Sequence, residues 1–448
     1  MSNFNKFKEY SELAWSAYDG YRKSETTELQ KLNFNKKYKI IDVEDYAGFQ
    51  AILYKDKRTS EKILAIRGTN IEFDDFGNDA LLTLFGSNKQ VDDLEKYYNK
   101  LVNNNILNSN ERIIIVGHSL GGFLAQYFSV IHNDVVSHTY TFNAPGLGGI
   151  IEDLTKIFGN IIVKDDLKNI NNITNILAKD GISLISVLGT HAGKEIKVSG
   201  NSHSIKDMTE ILYFYDLAIK KGSNENEVTN FLSGFYKNTN VVLFSNANVI
   251  GVVNNALNKF IKIIDSLNIE FTLNSTIDIC NALEKKNFHL NLLTPNSSIT
   301  SIFSGSSLST PALYALVNLN PFIISGIKSN AYNELEKYKD EYSKNYVSDK
   351  AKMFKALMDT PKVGSYYDDY ETGKKISYYT SVTDPDSTDE YNLTDTAYTF
   401  GTNKNDIVTA SVGKANRIYT LAGDDTIKLT GGSNYKFINL NLLVAWIF

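Results

Sequence analysis

The chain has 448 residues, 42% hydrophobic and 22% charged, with a formal net charge of −5 and a single cysteine, Cys280. That length exceeds what one hydrophobic core usually serves, so two or three domains of a soluble globular protein are expected. The acidic balance, with no basic patch interleaved with aromatics, excludes a nucleic-acid partner, and one cysteine excludes an internal disulfide framework.

The first residues, MSNFNKFKEYSELAWSAYDGY, lack an apolar core long enough for a cleavable signal peptide, so any export is expected to use a signal elsewhere. Residues 4–22 read as an amphipathic helix with Phe7, Tyr10, Leu13, Ala14 and Tyr18 on one face. Residues 37–44 and 49–56 alternate as antiparallel strands around a short turn. A third strand, Lys62 to Ile66, ends in Arg67-Gly68-Thr69, and DDLEKYYNKLVNN follows as a helix.

The next stretch, ERIIIVGHSLGGFLAQYFSV (111–130), organises the chain. Ile113 to Val116 is a charge-free β-branched run of the kind buried on both faces of a parallel sheet. From Leu120 the apolar residues Leu124, Tyr127 and Phe128 recur at helical spacing. Between them stands G-H-S-L-G, a nucleophile elbow in which a Cβ two positions from the serine on either side would clash, so glycine is needed at Gly117 and Gly121. Ser119 is the candidate nucleophile.

Strands at 137–145 and 173–180 and a helix at 204–220 complete an alternating pattern. It implies an α/β fold, an α/β-hydrolase doubly wound mostly parallel sheet, over residues 1–235. Residues 236–398 form a mostly helical accessory region and polar connector. Within it, 290–327 carries no charge, and Asn318, Asn320 and Pro321 favour a buried hairpin packed on the hydrolase domain over a membrane span or a lipid-dipping element. Residues 330–358 read as charged helix and 362–395 as connector.

Residues 399–436 repeat weakly: Asp406, Asn416, Asp425 and Asn434 follow one another at spacings of 10, 9 and 9. Nonapeptide periodicity with Gly and Asp is the pattern of a short calcium-binding β-roll, here degenerate, with Asp406 and Asp425 as candidate Ca2+ ligands. Lys404 occupies a glycine position, and Asn twice replaces Asp. The tail, 437–448, is apolar and too short to span a bilayer; a terminal export signal, a capping strand and a truncated end all remain open.

A serine nucleophile needs a base, an acid to orient that base, and donors for the oxyanion. The chain order Ser, Asp/Glu, His leaves His191, His203 and His289 as bases. His203 lies in a polar loop just before a helix and is preferred. Asp180 directly follows its strand and is the candidate acid, ahead of Asp165 and Asp166. The oxyanion donors are the backbone N–H of Leu120 and a group from the Gly68-Thr69 loop.

Taken together, Arg67-Gly68-Thr69, DDFGND, GHSLGG, TFNAPG, AKDGIS, THAGKEIKV and HSI resemble the class 3 (fungal-type) lipases over roughly residues 8–215. The resemblance implies a Ser119–Asp180–His203 triad, an oxyanion hole of Thr69 and Leu120, and a non-catalytic role for His191. Ile66 and Phe76 stand where that family usually has Phe and Trp. With the C-terminal repeats, the whole resembles a bacterial lipase or phospholipase of the repeats-in-toxin type. That implies an extracellular protein carried by type I secretion machinery without a cleavable N-terminal signal. Related lipases carry an active-site cover after the oxyanion loop, which here is residues 71–90, with Leu81, Leu84 and Phe85 as substrate-facing residues.

The expected activity is hydrolysis of lipid esters at a membrane or micelle surface, by a phospholipase A or a triacylglycerol lipase, with no cofactor for catalysis. The alternatives are an esterase on small soluble or plant-wall esters, and a calcium-dependent surface or adhesion protein on an inactive hydrolase scaffold.

Overall fold

The computed structural model describes residues 3–18, 26–46, 49–68, 88–147, 170–179, 189–237, 248–264, 275–294, 297–304, 308–358, 366–377, 396–411 and 415–428. Two compact units divide the chain: Met1–Lys220 with Asn248–Asn254 and Ile269–Lys285, and Lys221–Ala247 with Asn255–Asn268 and Lys286–Phe448.

The first unit is an α/β fold on a seven-stranded sheet of β1 (Tyr38–Tyr46), β2 (Phe49–Asp56), β3 (Lys62–Ile66), β4 (Ile113–His118), β5 (Val136–Phe142), β6 (Ile173–Ala178) and β7 (Lys194–Val198), in that spatial order. The β1–β2 and β2–β3 pairs are antiparallel, and every later pair is parallel. All six residues of β4 and all six of β6 are buried, as expected in a sheet covered on both faces, with Thr174 and Asn175 of β6 as buried polar residues among the apolar ones.

Strand alternation divides the two faces. Ile113 and Ile115 join a core with Leu94, Tyr97 and Leu101 of the helix Asn88–Asn103 and Leu124 and Phe128 of the elbow helix Leu120–Ile131. On the other face lies α1 (Asn3–Ser16), whose Tyr10 stacks on Tyr140 of β5 at 4.4 Å and whose Ser16 Oγ meets Tyr54 Oη of β2 at 2.8 Å. The helix Ile205–Lys220 packs beside α1, with Tyr215 stacked on Phe4 at 4.8 Å. Lys8 of α1 lies 2.5 Å from the fully buried Asp216 of that helix.

Two elements of this unit escaped the periodicity reading. One is α2 (Glu28–Lys37), opened by a reciprocal capping box in which Gln30 N donates to Thr27 Oγ1 at 3.1 Å and Thr27 N donates to Gln30 Oε1 at 2.9 Å. The other is β7, whose KEIKV buries only its last residue because it closes the sheet as an edge strand.

In the second unit, β8 (His289–Leu292) pairs antiparallel with β9 (Phe322–Ser325). The pairing expected of the uncharged segment is present, but the connection carries the helices Ile299–Ile302 and Thr310–Val317, so it is not a simple hairpin. Beyond the helix Lys344–Met358, β10 (Tyr366–Asp369) and β11 (Lys374–Ser377) form strands within the expected connector. Then β12 (Thr396–Phe400), β13 (Ile407–Thr409), β14 (Ala415–Tyr419) and β15 (Thr426–Lys428) alternate between two parallel ladders, β12–β14 and β13–β15. Phe400 pairs with Tyr419 and Ile407 with Thr426, so one full coil takes two of the nonapeptide-like repeats. Lys350, wholly buried, pairs with the equally buried Asp369 and lies 4.8 Å over the Phe400 ring, anchoring the helix Lys344–Met358 to the coil.

Among the described residues, no helix is long and apolar enough to cross a membrane.

Candidate active site

Ser119 sits where β4 turns into the elbow helix, at φ 56°, ψ −128°. A non-glycine residue adopts that backbone only under local constraint. The constraint is visible. Ser119 N donates to Phe142 O of β5 at 3.0 Å, while its own carbonyl accepts from Gly122 N and Phe123 N at 3.0 and 3.1 Å. A Cβ on Gly117 would lie 2.3 Å from Gly121 O, and a Cβ on Gly121 would lie 2.3 Å from Ile66 O. The turn therefore closes only with glycine at both places. Ser119 is 1% exposed, and its Oγ has no hydrogen-bond partner among the described residues.

The chain just after β3 reaches the elbow by a similarly close approach. A Cβ on Gly68 would fall 2.9 Å from His118 O and 3.3 Å from Leu120 N. Gly68 thus lies beside the Leu120 N–H. Gly68 N donates to Tyr18 Oη at 2.9 Å, and Tyr18 Oη lies 2.9 Å from His118 Nδ1.

On the other side of the elbow, His118 Nε2 lies 2.7 Å from His203 O. A carbonyl only accepts, so His118 carries its proton on Nε2, Nδ1 accepts from Tyr18 Oη–H, and the tyrosine oxygen takes the Gly68 N–H. Burial, and then the neighbouring His203, holds the His118 imidazole well below its ordinary range, so it stays neutral. The His118 and His203 rings are 4.9 Å apart. Burial pushes the His203 imidazole down to about 4, so it is unprotonated at neutral pH.

His191 is placed differently. It is 4% exposed and spans two acceptors, Ala144 O at 2.9 Å from Nε2 and Glu195 Oε1 at 3.0 Å from Nδ1, which ties the start of β7 to the chain after β5. The strand leading to Asp180 ends at the same sheet edge as Ser119, where Lys179 N donates to Val198 O at 3.0 Å. Asp180 itself, Asp165, Asp166, Thr69, Leu81, Leu84 and Phe85 lie outside the described residues.

Sequence reasoning missed two residues of this site. The helical pattern places Tyr18 on an apolar face, whereas among the described residues that helix ends at Ser16. Asn143 lay within TFNAPG, which carried a resemblance but no role. Its Oδ1 accepts from Ala178 N at 2.9 Å, and its Nδ2 donates to Ser202 O at 3.2 Å.

In the coil of the second unit, the two candidate calcium ligands belong to stacked turns. Asp406 Oδ2 accepts from Thr402 N at 2.6 Å, and Asp425 Oδ1 accepts from Asp406 N at 2.9 Å. Asp425 Oδ2 is buried with no hydrogen-bond partner among the described residues. Burial, with Asp406 and Asp424 nearby, raises the Asp425 carboxyl above its ordinary value. An orphaned oxygen of this kind suits a hard cation, although the described residues contain no group of three or more His, Cys, Asp or Glu able to hold a metal.

Residues 9–154 match a phospholipase-like family model, the Tle-like phospholipase domain. The matched segment is less than half of the chain; it contains the second half of α1, β3 and the elbow, and it supports a lipase- or phospholipase-type hydrolase. A comparison with curated proteins finds no match. Among solved structures, the chain is similar to Lip2 lipase of Yarrowia lipolytica, at 18% identity over 44% of this chain and 79% of that one, with a TM-score of 0.30. It is also similar to lipase II of Rhizopus niveus, at 17% identity over 45% and 83%, with a TM-score of 0.30, and to the triacylglyceride lipase of Rhizomucor miehei, at 14% identity over 44% and 80%, with a TM-score of 0.28. Scores of this size do not by themselves establish a common fold, and the architecture stands on the strand pairing.

Proposed function

We propose that the chain is a serine ester hydrolase releasing fatty acid from lipid, a phospholipase A or triacylglycerol lipase, through an acyl-enzyme. The observation that carries this reading is the strained Ser119, held at the C-terminal edge of a parallel sheet beside the Gly68 strand end, with the His203 loop tied to the adjoining His118. In this mechanism Ser119 Oγ attacks the ester carbonyl while His203 takes its proton. The oxyanion is received by the Leu120 N–H and by Thr69, and Asp180 holds the imidazole in the correct tautomer. His203 then returns the proton to the departing alcohol, and water, activated by the same base, hydrolyses the acyl-enzyme. No step needs a metal. The phospholipase-like match supports lipid as the acyl donor.

The segment 71–90 is proposed as a cover over the site, with Leu81, Leu84 and Phe85 meeting acyl chains at a lipid surface. Calcium, where Asp406 and Asp425 stack, is proposed to stabilise the coil and to stand apart from the chemistry. Export by type I machinery to an extracellular location is proposed on the resemblance of the repeats.

The test is a release assay on phospholipids, triglycerides and short soluble esters, with Ser119→Ala alongside. Fatty-acid release that rises sharply once substrate forms micelles or vesicles, and that Ser119→Ala abolishes, is expected. Short esters as the best substrates, with a smooth dependence through the critical micelle concentration, would replace the lipase reading by a plain esterase.

A further inference from the structure

The residue after β5 is Asn143, fully buried and in the left-handed region at φ 44°. Asparagine tolerates that backbone better than most side chains, but glycine would be the relaxed choice. What the carboxamide does there is therefore the question. Its Oδ1 accepts from Ala178 N at 2.9 Å, and its Nδ2 faces two carbonyls, Ser202 O at 3.2 Å and His203 O at 3.5 Å. The orientation of the amide is unambiguous, because an N–H lies on one side and only carbonyls lie on the other. The backbone N of Asn143 donates to Ile176 O at 3.0 Å, so its main chain is also part of the sheet edge.

These partners belong to three different parts of the site. Ala178 ends β6, two residues before Asp180. Ser202 and His203 form the loop that carries the proposed base. Phe142, adjacent to Asn143, accepts from the N–H of Ser119. The carbonyl of His203 receives a second donor, His118 Nε2, at 2.7 Å.

We infer that Asn143 is a positioning residue for the reaction: its side chain locks the His203 loop to the strand end leading to the acid and sets where the imidazole stands relative to Ser119. The inference rests on Ser119 and His203 being nucleophile and base, as proposed above. Proton transfer in such a pair tolerates displacements of only about 0.5 Å, and a 1 Å misplacement costs about 10²-fold. The loop 199–204 has no regular secondary structure of its own, so side-chain bonds of this kind set its position.

The experiment compares Asn143→Gly, Asn143→Asp and Ser119→Ala in the full chain. It uses a soluble short-chain ester and an organophosphonate that phosphonylates the reactive serine. Asn143→Gly relaxes the backbone and deletes the clamp. Its kcat is expected to fall about 10- to 100-fold with KM changed less than twofold, and phosphonylation is expected to slow in proportion, well below the melting temperature. Asn143→Asp keeps the volume and the Ala178 bond but turns the donor into an acceptor facing two carbonyls, so an equal or larger fall in kcat is expected. The aspartate variant decides the matter if the glycine variant does not fold. Wild-type kcat and phosphonylation in these variants, or an effect on KM alone, with Ser119→Ala inactive, would overturn the positioning role and leave the serine mechanism standing. An active Ser119→Ala would overturn both.

Discussion

The close approach of the elbow helix to the end of β3 makes the sharpest prediction. Gly121, in the first turn of the elbow helix, faces the end of β3, and a methyl there would lie 2.3 Å from Ile66 O and 2.7 Å from Arg67 C. Neither side can yield easily: Ile66 is fully buried and paired with Ala51 of β2 and Gly117 of β4, and the elbow helix is packed into the main core. Restoring even a 3.0 Å contact requires the helix start and the strand end to part by about 0.7 Å. Overpacking of this kind costs about 1–3 kcal/mol, which in a unit of this size lowers the melting temperature by about 2–4 °C per kcal/mol. The same displacement moves the Leu120 N–H away from the Gly68 loop, separating the two proposed oxyanion donors. Gly121→Ala should therefore melt several degrees lower and, when fully folded, turn over a soluble ester about 10- to 100-fold more slowly. Thermal unfolding followed by circular dichroism, paired with initial rates at 25 °C, measures both. A variant with wild-type kcat and an unchanged melting temperature would refute the argument that close packing of these two elements builds the site.

His203→Ala should abolish hydrolysis, whereas His191→Ala should lower stability through its lost bonds to Ala144 and Glu195 and leave kcat of the folded fraction largely intact; rates and melts of both variants decide it. The pH dependence follows from buried neutral histidines. His118, His138 and His203 all have folded pKa values below the unfolded 6.5, the last two at about 4. The unfolded chain therefore binds more protons between pH 6.5 and about 4, and stability, complete above 6.5, is lost as pH falls through that window. Melting temperatures from pH 8 to 4 should show this, with His138→Gln removing part of the slope, and the acid limb of kcat/KM should lie below pH 6; an inflection at 7 or above would contradict the neutral base. Chelation should lower the melting temperature or protease resistance of the C-terminal coil and leave ester hydrolysis unaffected, and Asp425→Asn should remove that sensitivity.

The elbow was legible because its determinants are local. The glycines the turn needs stand two positions from Ser119 on either side, and a β-branched run before it and helical spacing after it record burial directly in the order of residue types. The mostly parallel sheet was legible for the same reason, since strands buried on both faces are predominantly apolar, as Ile113 to Val116 are. Where burial is one-sided or slight the pattern weakens, so α2 and the edge strand β7 were not visible. The repeats announced a coil, but its full period emerged only from the register of β12 with β14 and β13 with β15.

Tertiary structure alone decided the polar connections. Tyr18 meets His118 across 100 positions, His118 meets His203 across 85, and Asn143 joins Ala178 and Ser202 across 35 and 59. No periodicity carries such pairings, because a hydrogen bond depends on where two chain segments converge at the sheet edge and hardly at all on the residues beside each partner. The sequence by itself thus singled out the candidate residues of the elbow. The fold determined which side chains tie the elbow, the end of β6 and the His203 loop together, because only the folded sheet brings those distant segments to one edge.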